Sequence, residues 1–323
     1  MKKLIFCSLL LLILDAVRAA SFTLEDTISL PGVKGRIDHF GIDREGCRLF
    51  VAALGNNTVE VVSLKDKEVI HSIKGLAEPQ GIFFVTETNR IYVANGGDGT
   101  VKLFDGANCV QTDSISLGDD ADNVRYDAEA KQVLVGYGGG SLATIDIKSG
   151  KIVSDVKLPV HPESFQLEPG GSRAYVNIPK AHKIAVIDRA QNKVIDEWSI
   201  GLAGANFPMA LDGSNHRLFV GCRTPSRLLI FDTQSGKEVA KLDLHGDCDD
   251  LFYDGERKQI YASCGEGYLD VFAQADADHY SLKEAFKTES KARTCYFDGD
   301  RIYLAVPLKS EQAAKILSYK INL

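Results

Sequence analysis

Seven times along the chain, a basic or amide residue opens a β-branched or aromatic run that ends in a small residue. The copies are Arg48-Leu-Phe-Val-Ala52, Arg90-Ile-Tyr-Val-Ala94, Gln132-Val-Leu-Val-Gly136, Arg173-Ala-Tyr-Val-Asn177, Arg217-Leu-Phe-Val-Gly221, Gln259-Ile-Tyr-Ala-Ser263 and Arg301-Ile-Tyr-Leu-Ala305. Their central residues are Phe50, Tyr92, Leu134, Tyr175, Phe219, Tyr261 and Tyr303, spaced 42, 42, 41, 44, 42 and 42 apart. So regular a period predicts one unit repeated by stacking or around a ring.

Each unit reads as four short strands, A to D. Strand A precedes the anchor run, as in Phe40-Gly41-Ile42-Asp43, and a turn such as Asp212-Gly-Ser-Asn215 follows it. Asp, Asn and Gly suit such turns because they bond their own backbone or accept positive φ. The anchor is strand B. Strand C follows, as in Thr100-Val-Lys-Leu-Phe104, and after a second polar turn comes strand D, as in Val69-Ile-His-Ser-Ile73. Four strands per ~40 residues predict an all-β, seven-bladed β-propeller. After Tyr303 there is room only for strand C, Lys315 to Ile321, and the missing strand stands at the other end, Thr27-Ile-Ser-Leu30. Pairing the two closes the ring and removes an exposed sheet edge. One domain over 20–323 is expected.

The first residues follow another pattern. Met1-Lys2-Lys3 and the apolar run Leu4 to Leu14 read as a signal peptide over 1–19, cleaved after Ala19. The run is short for a membrane span, and no later stretch is apolar enough to supply one. The expected mature protein is periplasmic or extracellular in a bacterium, and monomeric. The whole chain carries a net charge of −7, and loss of the leader leaves 34 basic and 43 acidic residues, −9. This acidity argues against nucleic acid as a partner.

Arg90-Ile-Tyr-Val-Ala-Asn95 followed by Thr100-Val, and Ser235-Gly-Lys-Glu-Val239 after Ile230-Phe-Asp232, resemble the repeat of the YVTN-type bacterial β-propellers. The resemblance covers Arg36 to Leu323 and implies an exported propeller, with no particular chemistry. More distantly the chain resembles virginiamycin B lyase and the propeller lactonases, which hold a divalent metal at the tunnel mouth. None of their catalytic motifs matches residue by residue.

In a propeller the D-to-A and B-to-C connections open on one face around the central tunnel. Here the D-to-A segments are rich in charge. Asp38, Gln80, Asp122, Glu163 and Asp249 each stand twelve residues before their anchor, which predicts equivalent places around one mouth. Arg36, His39, Asn123, His161, Asn206, Asp250 and Arg293 are interleaved with them, as are Arg125 and the acids Glu78, Asp119, Asp120 and Asp247. Clustered carboxylates repel unless a cation, an arginine or a proton compensates. The pattern leaves three readings open: a pocket for a cationic or hydroxyl-rich small molecule or protein segment, a divalent cation site, or a salt-bridged plug between blades. A metal-assisted lyase or lactone hydrolase with His39 or His161 as base is the alternative to a binding or scaffold role. In the sixth unit the turn register sets Cys248 opposite Cys264, either as a disulfide or as two buried thiols.

Overall fold

The computed structural model describes residues 21–309 and 312–322; the expected leader lies outside them. Seven four-stranded antiparallel sheets form the blades of a β-propeller. Blade 1 is Phe40–Asp43, Arg48–Ala53, Thr58–Ser63 and Glu68–Ile73, hydrogen-bonded in chain order, and blades 2 to 6 repeat it. Among the described residues the helical segments are the one-turn pieces Leu54–Asn56, Thr86–Thr88 and Pro179–Ala181. No helix among them is long and apolar enough to cross a membrane.

Blade 7 is built from both ends of the chain. Its strands A to C are Cys295–Asp298, Arg301–Val306 and Ala314–Ile321, and its outermost strand is Phe22–Leu30. The register runs from Phe22 opposite Ile321 to Leu30 opposite Ala314, with one bulge between Leu24 and Asp26. This is the closure expected from the missing strand.

The B strands are buried on both faces because each is covered by the neighbouring blades, and so their sequences are nearly unbroken apolar runs. The anchor side chains Phe50, Tyr92, Tyr175, Phe219 and Tyr261 are wholly inaccessible. Strand D faces solvent and alternates, as in Glu68–Ile73, where only Ile73 is buried. Trp198 on strand D of blade 4 packs against Tyr175 and Phe231, at ring-centroid distances of 5.4 and 6.3 Å.

In three of the seven units the arginine that opens the anchor run bridges to the next blade. Arg48 donates to the Gly106 carbonyl (2.5 Å), Arg173 to Thr233 (2.9 Å) and Arg217 to Ala277 (2.9 Å). Each acceptor lies in the C–D turn of the next blade. In these three units the arginine is therefore an inter-blade clamp, made of charge-assisted hydrogen bonds to backbone.

Cys248 stands opposite Cys264 as expected, though through a register shift between Cys248 and Asp250 and not through the turn register alone. Both stand as buried thiols in this structure. Their sulfurs donate to the carbonyls of Asp250 and Ala262, both at 3.7 Å. Contact with Cys264, and then burial, holds the Cys248 thiol well above its ordinary value.

Candidate functional site

The seven A strands enclose a central channel, and the channel has two chambers. The upper one, about 810 Å³, opens among the D–A and B–C connections. Asp38, Gln80, Asp122, Glu163 and Asp249 all line it, so the shared offset from the anchors becomes a shared position in space. The matching residue of blade 5, Phe207, lines it too. Gly81 helps to set the spacing. A Cβ there would stand 2.3 Å from the Asp122 carbonyl oxygen, so only glycine lets blades 2 and 3 approach this closely.

On the side of blades 3 and 4, Asp122, His161 and Glu163 converge. One donor atom from each lies within 4.8 Å of the others. The His161 Nδ1–H donates to the Gly138 carbonyl at 2.6 Å, which turns Nε2 toward Asp122 Oδ2, 3.7 Å away. A backbone carbonyl on one imidazole nitrogen is the usual device for presenting the other to a metal. Asp122 is only 5% exposed. Burial alone would raise its pKa, but the His161 hydrogen bond and the charges of His39, His161 and Arg36 hold it below the ordinary carboxylate value. Burial and the Asp122 charge push Glu163 up to about 8. For His161, burial opposes the charged form, and the hydrogen bonds to Asp122 and Gly138 override it, giving about 9. The trio thus favours charge on Asp122 and His161 and disfavours it on Glu163, an arrangement in which protons offset the clustered acids as a cation would. Two more buried oxygens of this chamber, Asp38 Oδ1 and Asn123 Oδ1, accept no hydrogen bond among the described residues.

On the side of blades 5 to 7 the acids are already neutralised. Asp249 meets Arg223 in a close ion pair and Arg293 Nε at 3.0 Å. Asp247 meets Arg293 at 2.7 Å and Arg223 at 3.4 Å. Arg36 pairs with Asp38 at 2.9 Å. The mouth thus has two halves, a salt-bridged one and one built on Asp122, His161 and Glu163.

Ten of the twelve residues singled out in the sequence line this chamber: Arg36, Asp38, His39, Gln80, Asp122, Asn123, His161, Glu163, Asp249 and Arg293. Two do not. Asn206 is fully buried, and its Nδ2 donates to Asn177 Oδ1 (2.9 Å) and to the Lys183 carbonyl (3.0 Å), so it ties blades 4 and 5 together. Asp250 lies deeper, where Oδ2 accepts from the Cys295 backbone N–H (2.8 Å) and Oδ1 stands 3.3 Å from His39 Nδ1. Arg125, also expected at the mouth, lines the lower chamber instead. The residue that sequence reasoning missed is Arg223. Its signal is the offset of four residues after the anchor, which it shares with Leu54 and Gly138, both at the mouth. Its guanidinium also covers the Phe207 ring at 4.3 Å.

No protein-family model matches the chain. Two curated proteins that resemble it are the uncharacterized protein YncE of Salmonella typhimurium (strain LT2) and that of Salmonella typhi. Each is 21% identical over 193 residues, which is 58% of this chain and 54% of the relative. The chain thus spans about half the length of the curated relatives it matches. Among solved structures, a chain of the Kuenenia stuttgartiensis hydrazine synthase superposes with a TM-score of 0.75 at 16% identity, over 85% of this chain and 94% of that one. A chain of the mitotic checkpoint complex superposes with a TM-score of 0.81 at 11% identity, over 100% and 99% of the two chains. These likenesses show the propeller fold alone.

Proposed function

We propose that the protein is an exported binding module whose upper chamber takes a divalent cation between Asp122, His161 and Glu163. The observation that supports this is the convergence of three donor atoms of the right chemistry, with the imidazole oriented by the Gly138 carbonyl. Two carboxylate oxygens and one nitrogen suit Zn²⁺ or Mn²⁺, and such an ion keeps further coordination positions. Those positions would face the open chamber, where a hydroxyl-rich or carbonyl-bearing ligand reaches the ion and Arg36 and Gln80 can bond its rim. A metal-assisted lyase or hydrolase would use the same ion plus a base, and no feature of the geometry favours it over binding.

The test is calorimetric titration of Zn²⁺ and Mn²⁺ into protein stripped with a chelator. One ion per chain should bind to the parent, and Glu163→Gln or His161→Gln should weaken it by about tenfold or more. Binding that is absent in the parent, or unaltered in both variants, overturns the reading.

A further inference from the structure

The lower chamber is a separate space of about 660 Å³, opening on the face of the A–B turns. His39 and Ser164 border both chambers, and all seven innermost strands contribute to the lower one. It carries more apolar surface than the mouth, alongside polar groups. Phe83, Leu211, Phe252 and Tyr296 line it, each only partly buried, so their surfaces face the cavity.

One charge in it has no ion-pair partner within contact distance, although the charges of Asp250 and Asp122 act on it from farther off. Arg125 donates from Nη1 to the Val124 carbonyl (2.9 Å) and from Nη2 to Ser164 Oγ (3.3 Å), and it sits over the Phe165 ring at 5.6 Å. Among the described residues it makes no ion pair. A guanidinium has five N–H donors, so three remain unspent. Asp250, the acid that shares the chamber, is committed to His39 and to the Cys295 N–H. At the rim, Glu87 pairs with Lys131, and Arg44 with Asp298 at 2.6 Å. Burial disfavours the charged form of Arg125 more than the charges of Asp250 and Asp122 favour it, and a partly buried guanidinium without an ion-pair partner is a cost that a carboxylate ligand would relieve. A cavity of this size suits a drug-sized molecule, and such sites are mostly apolar with a few placed polar groups. A guanidinium matches the planar fork of a carboxylate.

We propose that the lower chamber is a second ligand site for a planar small molecule bearing a carboxylate. Arg125 holds the carboxylate, and the apolar body lies among Phe83, Phe252 and Tyr296.

The probes are 2-naphthoate and its uncharged analogue 2-naphthamide, titrated into the full-length protein by calorimetry. Naphthoate should bind once per chain and about tenfold or more tighter than naphthamide. In Arg125→Met the two should bind alike, with circular dichroism confirming that the variant is folded. Naphthoate binding should persist in chelator-stripped protein, which separates this site from the cation site above. A crystal of the parent soaked with 6-bromo-2-naphthoate should show the bromine, located by its anomalous scattering, inside the lower chamber. This arm stands even if Arg125→Met does not fold. Naphthoate and naphthamide binding equally to the parent, a bromine outside the chamber, or no binding overturns the proposal.

Discussion

Asp249 Oδ2 stands 3.0 Å from Arg293 Nε, whereas Glu163, at the same offset from its own anchor, faces Asp122 and His161. Two acids that look equivalent in the sequence therefore carry opposite stability terms. Asp249→Asn strands part of the charge of Arg223 and Arg293 and should cost about 2–4 kcal/mol, the open chamber moderating the loss. Glu163→Gln removes a carboxyl that burial already pushes toward its neutral form. It should leave metal-free stability unchanged or raise it by about 1 kcal/mol. Urea denaturation at pH 7 in a chelator reads both signs, and equal losses in the two variants would contradict the two-halved mouth.

The metal-free protein should lose stability as the pH rises. His39 is largely buried, which alone would lower its pKa, but the Asp38 charge and the hydrogen bond and charge of Asp250 raise it to about 10. A raised folded-state value means that the imidazolium stabilises fully below the ordinary histidine value of ~6.5 and progressively less up to pH 10. The loss over that window should be on the order of 2 kcal/mol. His39→Gln should make the fall of melting temperature between pH 6.5 and 10 shallower, the remainder coming from His161 and Glu163, which are also raised. A variant as pH-dependent as the parent would remove His39 as the cause.

The period of the anchors was enough for the fold because strand B is buried on both faces in every blade, which forces the same apolar run seven times. The site was half legible. Asp38, Gln80, Asp122, Glu163 and Asp249 share an offset, and the offset becomes a position on the channel wall. What the offset does not carry is depth and pairing. Asp250 follows Asp249 by one residue, yet pleating sends it down the channel toward His39. Arg223 stands near the end of strand B in blade 5, so its neutralisation of Asp249 depends on contacts between blades that no single repeat encodes. Asn206 has the polarity of a site residue but spends its amide on the blade 4–5 contact.

Ring closure gives another test. Deleting Phe22–Leu30 exposes the whole of Ala314–Ile321 as a sheet edge and uncovers Tyr261 and Phe286, against which Phe22 packs at 6.0 and 5.0 Å between centroids. An open apolar edge recruits other chains. The truncated protein should sediment as aggregates at concentrations where the parent does not. Adding the missing strand as a separate peptide should restore solubility. A soluble truncation with the parent's melting temperature would argue against the closure.

Cys248 and Cys264 face each other across the first two strands of blade 6 as free thiols. Cross-strand neighbours lie within disulfide reach. A mild oxidant should therefore link this pair within one chain. Alkylation with mass mapping should then find both protected until reductant is added. Both remaining alkylatable after unfolding of the oxidised protein would show that the strands hold the sulfurs apart.

The anchor arginines should matter more than their place at the blade edge suggests. Arg217 is only 8% exposed and spends its fork on the Ala277 carbonyl (2.9 Å) and Asp278 (2.7 Å) of the next blade and on Asp232 (2.5 Å) of its own. Removing it leaves a carboxylate and a carbonyl without their donor in a partly buried joint, which costs more than the net worth of the bonds. Arg217→Met should lower stability by about 2–4 kcal/mol while keeping most of the apolar packing of the stem. Arg217→Lys restores the charge but not the planar fork, so it should recover only part of the loss. The loss should also appear locally, as faster hydrogen exchange in the turn around Ala277, because that turn is the clamp's far end. If Met and Lys are equally harmless and exchange is unaltered, the repeated basic residue is a surface preference and not a clamp.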